Sequence, residues 1–334
     1  MERRTRHERA ALASLLALLL LVGSRAGAAE AETPPEFKIA VLGDQGLGGD
    51  AEAVLRLVRD EGAEAVLHLG DFDYANDPAA WEAQIDSVLG REFPYFACVG
   101  NHDALRFFGP GGYQERLAAR MRRLGIPWQG ILGVRSSFRY QGIFVVATAP
   151  GVFGNGDLFY AGYIRRALAA DDSLWSIAGW HENMRAMQVG GKGNSTGWGV
   201  YEASRRGGAI IATAHEHSYS RTHLLADVSD QVVASTAEPL ALAADDPATR
   251  EDEGRSFVFV SGLGGESVRD QERGGPWWAS IYTSDQGARP GALFGAFHHR
   301  GDPRLARFYF KDIGGNVADE FLVESAEPLP APPP

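Results

Sequence analysis

The sequence predicts an α/β fold. Three apolar runs, 37–42, 65–69 and 94–99, alternate with two amphipathic segments, the pattern of parallel strands joined by crossover helices. Each run ends in a glycine followed by a residue able to bind a metal: Gly43-Asp44, Gly70-Asp71 and Gly100-Asn101. Open α/β sheets take their ligands beyond the carboxyl ends of the strands, where these residues fall. Later apolar runs separated by glycine turns add antiparallel strands, so one domain with mixed sheets is expected over 37–324.

Residues 1–28 have the organisation of a cleavable secretory signal. Arg3, Arg4, Arg6 and Arg9 precede an apolar run over 10–22, and Ala26-Gly27-Ala28 supplies the small residues of a cleavage site. The run is short of the ~20 apolar residues a spanning helix needs, so a retained anchor is the second reading. The expected location is secreted or periplasmic. A polar lead-in, 29–36, precedes the first strand.

Asp50 is expected to cap a helix reaching about residue 61, with Ala53, Val54, Leu57 and Val58 on one face. Asp77 as N-cap and Pro78 in the first turn start a second helix that runs to about 89. Residues 113–123 read as a charged surface helix. Residues 137–140 and 143–147 read as a hairpin through Gln141-Gly142. A helix over 158–170 leads to a buried strand, 174–180, that ends at His181. The glycine-rich stretch 189–197, with Lys192 and Asn194, reads as a mobile loop. A short helix, 197–206, leads to strand 209–214 and to His215-Glu216-His217. Residues 226–255 are acidic and weakly patterned, which suggests a long surface excursion. Strand 257–260 ends in Ser261-Gly262-Leu263-Gly264-Gly265. Strands over 293–298, 306–310 and 317–323 close the domain, the last two through Gly314-Gly315. The tail 325–334 is Pro-rich and reads as extended.

Composition narrows the function. Cys98 is the single cysteine of 334 residues, which excludes a disulfide framework and a cysteine-rich metal site. It lies in an apolar strand and reads as a small buried hydrophobe. Without residues 1–28, which hold five Arg and two Glu, the chain has 27 basic against 41 acidic residues. That surface repels nucleic acid and anionic membranes at long range, so neither is an expected partner. A local cationic site can still hold a small phosphate ester.

Asp44, Asp71, Tyr74, Asn101, His181, His215 and His217 all lie at or just past a predicted strand end. Singly, each also fits a plainer role: a helix cap, a packed tyrosine, a turn residue, a structural histidine. His215 and His217 alternate in an extended segment and so share a face. Gathered at one sheet edge, the set reads as a metal centre in which Asp71 bridges two ions and Tyr74 binds one of them.

In this order, Gly43-Asp44-Gln45-Gly46, Gly70-Asp71-Phe72-Asp73-Tyr74, Gly100-Asn101-His102-Asp103, His181 and His215-Glu216-His217, followed by Tyr219 and Arg221, resemble the signature of the calcineurin-like metallophosphoesterases. The subtype resembles the purple acid phosphatases. Gly46 stands where most members carry a histidine, and Tyr74 follows Asp71 by three residues, as in that subtype. The likeness covers residues 37–221. It implies a four-layer α/β/β/α sandwich, two mixed sheets flanked by helices. It also implies a ferric ion on Asp44, Asp71, Tyr74 and His217, and a divalent iron, zinc or manganese on Asp71, Asn101, His181 and His215. Carboxylate and phenolate oxygens suit the trivalent ion, imidazole and amide the divalent one.

The implied activity is an acid-phosphatase-like phosphomonoesterase, in which hydroxide on the paired ions attacks the phosphoryl group. A phosphodiesterase or pyrophosphatase on the same site, and a non-catalytic metal-stabilised envelope protein, are the alternatives. His102 is the candidate to steady the phosphoryl group or protonate the leaving oxygen. Asp103 is expected to orient His102 by accepting a ring proton. One departure stands out. The subtype carries a further substrate-facing histidine a few positions past the His181 equivalent, and this chain has none between His181 and His215. Glu182, Asn183 and Arg185 follow His181 instead; from the glycine-rich loop Lys192 or Asn194 could approach substrate, although Lys192 reads first as a solvated loop cation and second as a phosphate contact. His68 is expected beneath the site, and His223, His298 and His299 in loops or at the surface.

Overall fold

The computed structural model describes residues 35–326 except 247 and 250. The signal-like segment 1–28, most of the lead-in and all but the first two residues of the tail lie outside it. In chain order the elements are β1 (Phe37–Leu42), α1 (Gly49–Asp60), β2 (Ala65–His68), α2 (Pro78–Val88), β3 (Tyr95–Ala97), α3 (Ala104–Phe107), α4 (Tyr113–Arg123), β4 (Gln129–Ile131), β5 (Arg135–Tyr140), β6 (Ile143–Thr148), α5 (Gly156–Phe159), α6 (Ala161–Ala169), β7 (Trp175–Gly179), α7 (Gly199–Arg206), β8 (Ile210–Thr213), β9 (Tyr219–Thr222), β10 (Leu224–Asp227), β11 (Val232–Ser235), β12 (Leu240–Leu242), β13 (Val258–Ser261), β14 (Trp278–Tyr282), β15 (Gly291–Phe297), β16 (Leu305–Asp312) and β17 (Val317–Ser325).

The predicted parallel unit forms. β1 pairs parallel with β2, Ile39 opposite Ala65, and β2 parallel with β3, Val66 opposite Tyr95. β15 joins the other side of β1 antiparallel, and the first sheet runs β12-β17-β16-β15-β1-β2-β3. The second runs β14-β9-β13-β8-β7-β6-β5-β4, with a parallel centre of β13, β8, β7 and β6 and antiparallel flanks. Helices α1 and α4 pack on the first sheet and α6 and α7 on the second, giving the α/β/β/α order. Among the described residues, no helix is long and apolar enough to cross a membrane.

The two sheets meet closely where the site lies. The Gly43 N–H donates to the Ser261 carbonyl at 2.8 Å, and Ser261 Oγ to the Val41 carbonyl at 2.9 Å. A Cβ on Gly43 would sit 2.5 Å from Ala214 Cβ, so the approach of β1 to β8 requires glycine there. Further along, Tyr219 stacks on Phe310 with ring centroids 4.4 Å apart. Asp319 of β17 takes Arg221 Nε of β9 at 2.7 Å and the Tyr219 hydroxyl at 2.7 Å, while the guanidinium lies 3.9 Å over Phe321. Tyr219 and Arg221 thus couple the sheets, because a buried guanidinium needs both its carboxylate and an apolar face.

Some expectations fail for local reasons. Asp50 sits inside the first turn of α1 rather than capping it, where a carboxylate still suits the helix dipole. Asp77 does cap α2, accepting the Ala79 and Ala80 N–H groups at 3.1 and 3.0 Å. The helix expected over 158–170 breaks into α5 and α6 and starts earlier, because Asn155 accepts the Asp157 and Leu158 N–H groups. The excursion over 226–255 is partly structured. It forms β11 and β12, and β12 buries Leu240 and Leu242 while extending the first sheet beside β17. Three alternating residues are too few to read as a strand. Buried Arg205 anchors the rest through Asp252, at 2.7 and 2.9 Å, and the Gly254 carbonyl at 2.6 Å.

Candidate metal centre

The loops after β1, β2, β3, β7 and β8 converge. Asp44 and Asp71 are buried, His181 and His217 are buried, His215 is half-buried and Asn101 is exposed at the mouth. Asp44, Asp71, Tyr74 and His215 all adopt left-handed backbone conformations, with φ of 59°, 58°, 56° and 69°. A non-glycine residue there costs on the order of 1–2 kcal/mol, so the loops must hold each one. They do. Asp44 N–H donates to the Gly70 carbonyl, Gln45 N–H to Asp71 and Gly46 N–H to Phe72, at 3.0, 3.0 and 3.1 Å. Asp73 accepts the N–H groups of Ala75, Asn76 and Asp77, each at 2.9 Å, and so fixes the turn carrying Tyr74. Gly100 must stay bare: a Cβ there would lie 2.2 Å from both Asp71 N and Asp71 Oδ1.

The seven side chains form two adjoining groups. In one, the Tyr74 hydroxyl lies 2.9 Å from Asp44 Oδ1 and 3.1 Å from His217 Nε2, with His217 Nε2 3.3 Å from Asp44 Oδ1. In the other, His181 Nε2 lies 3.1 Å from Asp71 Oδ2, 3.2 Å from Asn101 Oδ1 and 3.0 Å from His215 Nδ1. Donor atoms of Asp71, His181 and His215 all fall within 4.8 Å of one another. The His215 N–H, donating to Asp44 Oδ2 at 2.8 Å, joins the groups.

Tautomers decide what this arrangement can hold. His181 Nδ1 lies 2.8 Å from the Leu69 carbonyl, which can only accept, so the ring proton sits on Nδ1. Nε2 of the neutral ring then turns a lone pair toward the acceptor-only Asp71 carboxylate, with the Asn101 amide oxygen and the His215 imidazole beside it. Converging lone pairs repel unless a cation sits among them, and a borderline divalent metal fits that donor set. A proton is the other cation that fits. Burial alone would pull His181 down, but the Asp71 carboxylate, by charge and hydrogen bond, and then Asp44, push it up to about 9. His215 goes the other way, to about 2, through burial and the charges of His181 and Lys192. Burial would likewise raise Asp44, but His217 beside it holds its carboxyl far below the usual range. Burial, Asp44 and Asp71 push the Tyr74 phenol far upward, so a phenolate there needs a strongly charged cation as its partner. His217 Nδ1 is held 2.5 Å from Ser267 Oγ, which turns Nε2 toward Asp44 and Tyr74.

The seven candidate side chains therefore come together, while other expectations are corrected. Asp103 does not orient His102. It is buried and accepts three backbone N–H groups, from Asp71 at 2.8 Å, Phe72 at 2.7 Å and Gly100 at 2.7 Å. His102 itself is exposed, its ring 4.6 Å from that of Tyr74 and its N–H on Asp71 Oδ1 at 2.9 Å. Asn183 is buried structure, donating to the Ala214 carbonyl and accepting from the Tyr201 hydroxyl. The loop over 189–197 is tied down rather than loose: Gln188 Nε2 and Arg273 Nη1 donate to the Lys192 carbonyl at 2.6 and 2.7 Å, and Asn194 Oδ1 accepts the Arg185 N–H. His68 is buried beneath the centre, stacked on Tyr95, with burial pulling it down to about 3. Ser267 and Glu216 escaped the sequence reading. Ser267 follows the glycine turn without any pattern. Glu216 was the residue between two histidines, yet it is buried with neither carboxylate oxygen hydrogen-bonded among the described residues.

Residues 37–219 match the calcineurin-like phosphoesterase family. No curated protein matches the chain. Among solved structures, the purple acid phosphatase PPD1 from yellow lupin (Lupinus luteus) seeds aligns with a TM-score of 0.64 at 16% identity, over 87% of this chain and 54% of that one. The chain thus spans about half the length of that enzyme. GAP50, described as the anchor in the inner membrane complex of Plasmodium, aligns with a TM-score of 0.53 at 10% identity, over 86% of this chain and 89% of that one. At these identities the likeness is one of fold.

Proposed function

Because the chain belongs to the calcineurin-like phosphoesterase family, we propose that it is an exported hydrolase of small phosphate monoesters, working at a centre of two metal ions that share Asp71. Asp44, Tyr74 and His217 would hold one ion, ferric iron in this reading, with Asp71 between the two. Asn101, His181 and His215 would complete the site of a divalent iron, zinc or manganese. When bound, the ions supply Lewis acidity to the phosphoryl oxygens and lower the pKa of water. The remaining roles belong to the chain. Leu69 and Ser267 fix the two buried imidazoles by their second ring nitrogens, so that no reorganisation is needed when substrate arrives. Asp103 holds the Asp71 loop in its left-handed turn. His102, exposed beside Tyr74, would hand a proton to the leaving oxygen or hydrogen-bond the phosphoryl group.

The observation that carries this reading is the lone-pair cluster around His181 Nε2, adjoining an acidic and phenolic second group. GAP50 shows that the fold also occurs in a protein described as an anchor, and a full donor set with an exposed histidine at its mouth favours turnover instead. The test is hydrolysis of an aryl monoester and the matching diester by protein loaded with iron, zinc or manganese. Faster monoester turnover supports the proposal, diester preference reassigns the substrate, and tight metal with no turnover of either leaves a binding protein.

A further inference from the structure

The chain has only three lysines among its 32 basic residues: Lys38, Lys192 and Lys311. Lys38 and Lys311 both serve Glu61, through its carbonyl at 2.8 Å and its carboxylate at 2.5 Å. Lys192 has no such partner. Among the described residues no carboxylate lies within ion-pair distance of it, and its ammonium donates to the His215 carbonyl alone. An ammonium has three donors, so two are uncommitted.

The loop is shaped around this residue. A Cβ on Gly190 would sit 2.1 Å from the carboxyl carbon of buried Glu216, so that position tolerates no side chain. Val189 O accepts the N–H groups of Glu272 and Arg273, both at 2.9 Å, and two side chains clamp the Lys192 carbonyl. The result is a rigid loop that lays one half-buried cation against the backbone of a residue touching both halves of the centre. His215 donates its N–H to Asp44 and sets its ring 3.0 Å from His181. The neighbouring cations are otherwise engaged: Arg273 holds the Lys192 carbonyl, and Arg269 leans on Glu216 at 3.9 Å.

We propose that Lys192 is the phosphoryl-binding cation of the centre, filling with an ammonium the substrate-facing role left open by the absence of any histidine between His181 and His215. This rests on the proposed phosphoesterase function. The ligand chemistry is an anionic tetrahedral oxyanion, and Lys192 contributes two charge-assisted hydrogen bonds to it without touching a metal. Lysine suits the task as a compact point charge on a flexible stem, able to follow the phosphoryl group from substrate to product.

The test is orthophosphate binding to the metal-loaded protein, measured by titration calorimetry, with metal content and melting temperature read in parallel. The variants are Lys192→Met and Lys192→Gln, either of which suffices if the other fails to fold. Loss of charge-assisted hydrogen bonds to an anion weakens binding by roughly tenfold to a hundredfold, and that loss with metal content unchanged is the expected result. Affinity within about twofold of wild type would overturn the inference. So would a fall in metal content, which would make Lys192 a support for the His215 backbone. A wild type that binds orthophosphate but hydrolyses no ester would fail the proposed function while leaving this inference standing.

Discussion

Replacing Asp103 by alanine removes one carboxylate that satisfies three buried backbone donors at once. Oδ2 takes the N–H groups of Asp71 and Gly100, and Oδ1 that of Phe72, at 2.7–2.8 Å. Each donor left without a partner costs on the order of 1–3 kcal/mol. With some water entering the gap, Asp103→Ala should lose about 3–6 kcal/mol of stability. Asp103→Asn separates the contributions: its amide oxygen can keep the two bonds made by Oδ2, while its NH2 faces the Phe72 N–H, so it should lose roughly 1–3 kcal/mol. Urea unfolding of metal-free protein measures both. The same variants should weaken metal binding, because the Asp103 bonds hold Asp71 at φ 58°. His102→Ala should leave stability nearly unchanged, since its side chain is exposed. If Asp103→Ala unfolded within about 0.5 kcal/mol of wild type and instead copied the kinetic defect of His102→Ala, the loop-holding role would be wrong and the His102-orienting role restored.

Gly100→Ala should prevent metal binding or folding outright, because its Cβ would overlap the Asp71 backbone and carboxylate; soluble expression and metal content report it. Arg205→Ala should cost about 1–3 kcal/mol, because the buried guanidinium is lost while half-buried Glu202 and exposed Asp252 keep access to water, and should open the segment around Asp252 to proteases while leaving metal content intact at low temperature. Tyr74→Phe should abolish the visible absorption that a tyrosinate on ferric iron gives, without removing the ion held by Asn101, His181 and His215; optical spectroscopy with elemental analysis checks it.

The parallel unit and the site were readable for one reason: in this fold the chemistry follows a strand, and apolar runs ending in Gly-Asp or Gly-Asn mark strand ends in the sequence itself. Gly43, Gly70 and Gly100 were legible as turn residues, although the sequence could not show that Gly43 faces Ala214 or that Gly100 faces Asp71. Those are contacts between loops far apart in the chain. Asp103 was misread for the same cause. Its neighbour in sequence is His102, but two of its three partners are the N–H groups of Asp71 and Phe72, in a loop about thirty residues earlier. Ser267 and the two spare donors of Lys192 were invisible until the loops were brought together, although the scarcity of lysine was a signal in the sequence. The short strands β4, β9, β12 and β14 were missed because each spans three to five residues and takes its order from neighbours rather than from its own periodicity.

The central claim is that Asp71 is shared between two ions, and metal stoichiometry tests it most directly. Protein reconstituted with iron and zinc, then freed of loose metal, should hold two ions per chain by elemental analysis, and Asp71→Ala should lose both together. One ion per chain in the wild type, or an Asp71→Ala variant that keeps two, would contradict it.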